Sequence, residues 1–92
     1  MYKIVYHPLV ISFDIPKLGT FEKRRIKKAI EQKLESLPNK FGLYLRNNLK
    51  GYMKLRVGDY RVIFRIEDVK KQVLVFNISH QSIAYKMIYK RI

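Results

Sequence analysis

Residues 52–67 decide the fold, and they read YMKLRVGDYRVIFRIE. Apolar and polar residues alternate on both sides of Gly58-Asp59, and this pattern predicts a β-hairpin with a two-residue type II′ turn. The pairing that follows sets Arg56 directly opposite Arg61. Opposed like charges destabilise a sheet by up to ~1 kcal/mol, so this pair of arginines requires an explanation.

The same pairing divides the hairpin into two faces, because opposed residues of an antiparallel pair share a face. One face is apolar and predicts a core: Met53, Leu55, Val57, Tyr60, Val62 and Phe64. The other is mostly basic: Tyr52, Lys54, Arg56, Arg61, Ile63 and Arg65. An anion bound among these cations replaces repulsion with charge-assisted hydrogen bonds, about twice as strong as neutral ones. The basic face therefore predicts a phosphate site; the alternative is that the cations extend separately into solvent.

The composition narrows the class of protein. The 92 residues include 20 Lys and Arg against 7 Asp and Glu, a formal net charge of +13, and no cysteine. We expect one domain, residues 1–92, without disulfides or thiolate metal sites. No secretory signal and no apolar run of membrane-spanning length is visible, so we expect a cytoplasmic protein. The charge predicts a polyanionic partner: nucleic acid, an acidic membrane surface or an acidic protein.

The N-terminal part of the chain predicts one strand and two helices. A strand over residues 2–6 precedes a helix from Pro8 to about Leu18, which Pro16 kinks or ends. Thr20 is the expected N-cap of the second helix, and Pro38-Asn39 ends it. Its apolar stripe comprises Ile26, Ala29, Ile30, Leu34 and Leu37, and its basic outer surface Lys23, Arg24, Arg25, Lys27, Lys28 and Lys33.

The remaining segments complete an α+β fold. Residues 39–50 are predicted to be a connection that packs Phe41, Leu43 and Leu45 under the sheet. Two further strands follow, joined by a turn at residues 68–71, and the spacing of apolar residues in the tail predicts a short C-terminal helix. The prediction is a β-α-α-β-β-β order, with two N-terminal helices packed on a mostly antiparallel four-stranded sheet.

Several blocks of the sequence resemble the RelE/ParE superfamily of toxins from type II toxin–antitoxin pairs. The blocks are DIPKL, NKFG, LRNNLKG, LRVGDYRV and VLVFNISHQSIAYK. The resemblance implies a compact domain in either of two branches. The RelE branch cleaves messenger RNA in the ribosomal A site without a metal or other cofactor, and the ParE branch inhibits DNA gyrase.

The resemblance also implies roles for individual residues. Lys54 and Arg61 match positions that bind and polarise the scissile phosphate, and Lys50 matches a basic position before the glycine of the motif. Tyr85 matches a C-terminal tyrosine that stacks on or orients a base. Two departures stand out: Gln81 follows His80 where many relatives have arginine, and Tyr52 replaces a second lysine.

The residues suggest a mechanism for RNA cleavage through the 2′-hydroxyl. Arg61 and Arg56 hold the charge that develops on the phosphate, and Lys54 accepts the hydroxyl proton or stabilises the alkoxide. His80 is the candidate donor of a proton to the leaving 5′-oxygen. Arg65, Tyr52, Lys50 and Gln81 complete the expected RNA-binding set, which includes no metal ligands.

Three functions follow from these observations. The favoured one is a ribosome-dependent messenger RNA endoribonuclease that inhibits translation; the others are a gyrase inhibitor and a non-catalytic basic nucleic-acid-binding domain. For either toxin, the expected partner is a co-encoded acidic antitoxin in a hetero-oligomer. We expect it to cover the face of Lys54, Arg56 and Arg61 or to displace the tail, residues 85–92, on the ground that so short a tail docks weakly.

Overall fold

The computed structural model describes residues 1–45 and 49–92. Residues 46–48, part of the predicted connection and of the block LRNNLKG, lie outside the described residues. No helix in the described part of the chain is both long enough and apolar enough to cross a membrane.

One sheet of five strands organises the described residues, in the spatial order β1-β5-β4-β3-β2. The strands are β1 (Lys3–Tyr6), β2 (Leu43–Tyr44), β3 (Met53–Val57), β4 (Tyr60–Glu67) and β5 (Gln72–His80). Only β1 and β5 run parallel; the other neighbours are antiparallel. The predicted α+β class is therefore confirmed, but the predicted count of four strands is one too low. The additional strand, β2, is two residues long, and an alternating pattern cannot be recognised at that length.

The hairpin that decides the fold has the predicted register. Arg56 lies opposite Arg61, and Val57 lies opposite Tyr60. Gly58 has a φ of 60°, as the first turn residue of a type II′ turn requires. Of the predicted core face, Tyr60 is half-buried and the other five residues are buried.

Within the described residues, four helical segments accompany the sheet. We call them α1 (residues 10–17), α2 (residues 20–34), α3 (Pro38–Phe41) and α4 (Ala84–Arg91). Helix α1 combines a π-helical turn, Val10–Asp14, with a 3₁₀ turn, Ile15–Lys17, and α2 continues from Thr20–Ala29 into a π-helical turn, Ile30–Leu34. Helices α1, α2 and α4 are the two predicted N-terminal helices and the predicted C-terminal helix, whereas α3 was not predicted.

Three details of the helical prediction are wrong. Gly19, not Thr20, is the N-cap of α2, and Thr20 is already its first residue. Leu37 is exposed because α2 ends before it and the chain turns into α3, which begins at Pro38. In the connection, Leu45 is buried as predicted, whereas Phe41 and Leu43 remain exposed.

The sheet separates two apolar clusters. The larger lies between the sheet and helices α1 and α2, and it contains Val10, Ile26, Ile30, Leu34 and Phe64 among others. The smaller lies on the opposite face, where α4 packs, and consists of Leu45, Leu49, Ile63 and Ile88. The sheet face that the sequence predicted to be mostly basic is therefore partly a second core, with Ile63 only 1% exposed.

The two tyrosines with a raised pKa are Tyr6, in β1, and Tyr2, just before it. Burial, and then the Glu31 and Glu35 carboxylates, raise the pKa of Tyr6. A hydrogen bond to Asp68 is the largest cause of the raised pKa of Tyr2. Because β1 is the sheet edge farthest from β2 and β3, neither group belongs to the basic face of the hairpin.

An ion pair between α1 and α4 fixes the end of the chain. Arg91 Nη1 and Nη2 each donate to the Asp14 carboxylate at 2.6 Å, and the two side chains are only 3% and 2% exposed. Asp14 also accepts the backbone N–H of Ile78 at 2.8 Å, and Arg91 donates to the carbonyl of Phe76 at 2.9 Å. The pair thus joins two helices and β5 at one point. The expectation that the tail docks weakly weighed apolar anchors alone and did not include this contact; it stays a prediction.

We predict that Arg91→Ala lowers the free energy of unfolding by about 3 kcal/mol, because it leaves the Asp14 carboxylate buried without its counter-charge. Urea denaturation followed by circular dichroism measures the loss. The matched control is Lys90→Ala, which removes an exposed neighbouring cation and is expected to change stability by less than ~0.5 kcal/mol. Equal stability of the two variants would show that the ion pair does not hold α4.

We also predict that Phe64→Asp prevents folding, because the aromatic ring is completely buried in the larger cluster and an unpaired carboxylate there has no compensating partner. Arg65→Asp, one residue further along β4, alters an exposed position and should leave the far-ultraviolet circular dichroism spectrum of the folded chain intact. A folded Phe64→Asp variant would contradict the assignment of this face to the core.

Candidate nucleic-acid interface

The basic face of the hairpin forms the base of a groove between β2, β3 and α4. The groove has a volume of about 540 Å³ and is lined by Leu43, Tyr44, Leu49, Lys54, Arg56, Tyr85 and Tyr89. We call it the tyrosine groove. Lys54 and Arg56 reach it together because residues two apart in a strand point to the same face.

Three exposed tyrosines line this groove. Tyr85 and Tyr89 lie four residues apart on α4, which places them on one side of the helix, and they are 43% and 46% exposed. Tyr44 comes from β2 and is 69% exposed. Aromatic rings beside a cationic surface are the combination that binds single-stranded nucleic acid, because bases stack on the rings and cations neutralise phosphates.

Lys54 and Tyr85 form the central polar contact of the groove. The Lys54 ammonium group donates a hydrogen bond to the Tyr85 hydroxyl oxygen at 3.0 Å and lies 5.5 Å from the centre of the tyrosine ring. Because the phenol oxygen accepts this bond, its own O–H stays available as a donor. The structure therefore brings together two residues that the sequence named 31 positions apart.

Arg61 is held at the β3–β4 turn rather than in the groove. Its Nη1 donates to the carbonyls of Gly58 at 3.0 Å and Tyr60 at 2.9 Å, and its Nη2 donates to Gln81 Oε1 at 2.9 Å. A guanidinium has five N–H groups, so two stay free for an anion. Gln81 is also tied to the turn by its backbone N–H, which donates to the Asp59 carbonyl at 2.7 Å.

These bonds give Gln81 a physical role. An arginine at this position has no acceptor and cannot receive the bond that Arg61 donates. Glutamine accepts it and so fixes the orientation of the guanidinium. The departure from the RelE pattern that was noted in the sequence therefore exchanges a second cation for a hydrogen-bond partner of the first.

His80 lies apart from Lys54 and Arg61. It pairs with Tyr60 across the β4–β5 ladder and packs its ring edge-on against the Tyr60 ring, 5.7 Å between centroids. Tyr60 belongs to the face that α1 and α2 cover, so the histidine side chain is on the opposite side of the sheet from the basic face. Its Nδ1 accepts the backbone N–H of Ser82 at 3.1 Å.

The remaining predicted residues are spread around the groove. Arg65 lies 5.4 Å from the centre of the Tyr52 ring, and that ring packs edge-on against Phe76. Neither Tyr52 nor Arg65 lines the tyrosine groove. Lys50 is exposed in the turn before Gly51, which has a φ of 89°.

Sequence reasoning missed Tyr44 and Tyr89 as members of the site. The repeat of tyrosine at positions 85 and 89 of a predicted helix was the available signal for Tyr89. Tyr44 offered none, because its strand is only two residues long. Within residues 1–45 and 49–92, no group of three or more His, Cys, Asp or Glu side chains is arranged to hold a metal ion.

The sequence of the chain matches the model of a known protein family. Residues 10–85 match the family model described as the ParE toxin of the type II toxin–antitoxin system parDE. The chain belongs to the RelE/ParE family of toxins. The match includes β2 to β5 and the whole hairpin, and thus most of the residues that form the tyrosine groove.

Individual relatives agree with this assignment. The chain is 40% identical over 50 residues to Toxin RelE of Mycobacterium tuberculosis strain H37Rv, which is 54% of this chain and 52% of that protein. The matched part of the chain thus spans about half the length of that curated relative.

Solved structures share the fold over most of the chain. The crystal structure of the RelBE2 toxin–antitoxin complex from M. tuberculosis has a TM-score of 0.80 at 25% identity, over 86% of this chain and 96% of that one. The archaeal RelE–RelB complex of Pyrococcus horikoshii has a TM-score of 0.69 at 25% identity, over 90% of this chain and 98% of that one. The isolated Escherichia coli RelE toxin has a TM-score of 0.72 at 22% identity, over 99% of this chain and 98% of that one, and this match shows a shared fold.

We predict that Tyr89→Ala weakens binding of a short single-stranded oligonucleotide about fivefold or more, because stacking on one aromatic ring is worth ~1–3 kcal/mol. A fluorescently labelled 2′-O-methyl trinucleotide, which has no free 2′-hydroxyl, measures binding by anisotropy. Tyr89→Phe is the control, since it keeps the ring, and should bind within twofold of the parent. An unchanged affinity in Tyr89→Ala would remove this ring from the site.

Proposed function

We propose that the chain is the toxin of a type II toxin–antitoxin pair and a metal-independent endoribonuclease that cleaves messenger RNA on the ribosome. The observation that carries the proposal is the Lys54–Tyr85 hydrogen bond inside a groove lined by tyrosines and cations. Residues 1–92 act as one toxin domain in this proposal, and the cytoplasm, where ribosomes translate, is its place of action.

The residues of the groove supply what RNA cleavage needs. The 2′-hydroxyl of RNA attacks the adjacent phosphate, so the protein has to orient the strand, stabilise negative charge and protonate the leaving 5′-oxygen. A water molecule takes the proton of the 2′-hydroxyl, Lys54 stabilises the resulting 2′-alkoxide, and Arg56 neutralises the charge that grows on the phosphate oxygens. Tyr85, whose O–H is free, donates the proton to the leaving oxygen.

Arg61 and His80 take different places in this proposal. Arg61, fixed by the turn and by Gln81, offers its two free N–H groups to the phosphate as a preorganised donor. His80 was the proton donor suggested by the sequence. Because its ring packs on the far side of the sheet, we assign the donor role to Tyr85 and give His80 no part in catalysis.

An acidic antitoxin is the proposed partner of this toxin. The solved relatives include complexes of RelE with RelB from M. tuberculosis, P. horikoshii and E. coli. The net charge of +13 favours a partner with acidic segments that fold on the basic surface. The proposal places the antitoxin over Lys54, Arg56 and Arg61, in a toxin–antitoxin hetero-oligomer.

A gyrase inhibitor is the second candidate. Two observations favour it: the matching family model is described by the ParE toxin, and Gln81 stands where many RelE-like chains have an arginine. Mapping transcript ends after induction separates the two functions. Cuts within translated codons support the ribonuclease, whereas intact transcripts with accumulating DNA breaks support the gyrase inhibitor.

We predict that Lys54→Ala lowers the rate of transcript cleavage about 100-fold or more, because it removes a charge that stabilises the transition state, and that it abolishes growth arrest. Arg61→Ala is expected to act in the same direction. Purified ribosomes programmed with a defined messenger RNA, with 5′ ends mapped by primer extension, provide the measurement.

The control for this experiment is Lys70→Ala, which removes an exposed lysine in the β4–β5 turn. It should cleave at the parent rate, and all three variants should keep the parent melting temperature within a few degrees, since none alters the core. Full growth arrest by folded Lys54→Ala and Arg61→Ala variants would show that the basic face is not the active site.

A further inference from the structure

A second basic groove adjoins the tyrosine groove at the edge of β3. It has a volume of about 190 Å³, and its lining includes the cationic side chains of Arg25, Lys28, Lys33 and Arg56. The first three come from α2 and the last from β3. We call this the helix track.

Arg56 connects the two grooves, because it lines both of them. Strand β2 pairs only with Met53 and Lys54, so within the described residues it leaves the rest of β3 without a strand neighbour on that side. The surface therefore continues from the tyrosines, over Arg56, to the exposed basic residues of α2.

The Arg25 guanidinium packs against the turn of the hairpin. A β-carbon at residue 58 would displace it, and Gly58 also has the positive φ that the turn needs. The same turn holds Arg61 from the other face through its carbonyls. One turn thus contacts a cation of the helix track and binds a cation of the basic face.

The cations of the helix track have no acidic partners in the described part of the chain. The single side-chain ion pair within 4.0 Å among residues 1–45 and 49–92 joins Arg91 to Asp14, and both lie elsewhere. The helix track therefore concentrates positive charge without an ion pair inside the described structure. Its cations are suited to bind the phosphates of a nucleic acid whose bases occupy the tyrosine groove, since positively charged grooves follow a nucleic-acid backbone.

We propose that single-stranded RNA leaves the tyrosine groove over Arg56 and continues along the helix track, where Lys28, Lys33 and Arg25 bind its phosphates. This inference rests on the proposed function, because it takes RNA to be the occupant of the tyrosine groove. It assigns α2 a part in substrate binding: the helix lengthens the bound stretch of RNA beyond the nucleotides at the cleavage site.

The test compares two lengths of RNA. The parent and Lys28→Gln/Lys33→Gln are titrated with labelled 2′-O-methyl oligonucleotides of three and ten nucleotides over a range of salt. A trinucleotide occupies the tyrosine groove alone, whereas the longer strand also reaches the helix track. The double variant should bind the decanucleotide about tenfold more weakly at low salt and the trinucleotide as the parent does.

The salt dependence gives an independent readout. Each phosphate contact on a single strand contributes about 0.7 to the slope of log K against log salt, so losing two contacts lowers the slope for the decanucleotide by about 1.4. The matched control is Lys3→Gln/Lys70→Gln, which removes the same charge from exposed positions on β1 and in the β4–β5 turn. For both oligonucleotide lengths, the salt slope and the affinity of this control should be closer to those of the parent than the values of Lys28→Gln/Lys33→Gln are.

Four results would overturn the inference. Equal decanucleotide affinities of the two double variants would show a general effect of net charge. Tighter binding of a ten-base-pair duplex than of the single strand would assign the helix track to folded RNA. Loss of trinucleotide binding in Lys54→Ala, with no effect of Lys28→Gln/Lys33→Gln on either length, would leave the proposed function standing and refute the helix track alone. A parent that binds neither oligonucleotide refutes both.

Discussion

The open edge of β5 is the constraint on which the rest of the structure depends. Strand β1 pairs with β5 only as far as Val75, so the backbone beyond that point needs other partners. Asp14 accepts the N–H of Ile78, and Arg91 donates to the carbonyl of Phe76. The two side chains replace a missing strand, and their ion pair holds helices from opposite faces of the sheet to the same edge.

This edge also determines where the tyrosine groove lies. Helix α4 is anchored at its end by Arg91 and along its length by Ile88, which is buried in the smaller cluster. The rings of Tyr85 and Tyr89 project from the same helix into the groove. Since the contacts that fix α4 are buried, the groove keeps its shape without relying on the exposed side chains that line it. The side-chain amide of Asn77 also donates a hydrogen bond to Asp14 and so extends this buried polar network.

The features that could be predicted from the sequence are those that depend on residues close together in the chain. The register of the hairpin follows from a local alternation and one turn, so every pair from Met53 to Val57 was predictable. The ion pair between Asp14 and Arg91 joins residues 77 positions apart, and no local pattern marks either as buried. The alternation assigns Ile63 to the correct face of the sheet, beside the cations. It does not show that helix α4 covers Ile63 there.

In the part of the chain that the structure describes, residues 55–57 of β3 have no strand neighbour on the side of β2, and this free edge affects how copies of the chain meet one another. An exposed strand edge is a template for pairing with a second sheet, and charged side chains there discourage such pairing. Two copies that aligned these edges would bring Arg56 against Arg56, with Arg61 beside each. The repulsion that weakens the hairpin internally thus protects its edge from aggregation. A bound polyanion would remove both effects at once, so the resistance of this edge to pairing and the occupancy of the proposed RNA site depend on the same few charges.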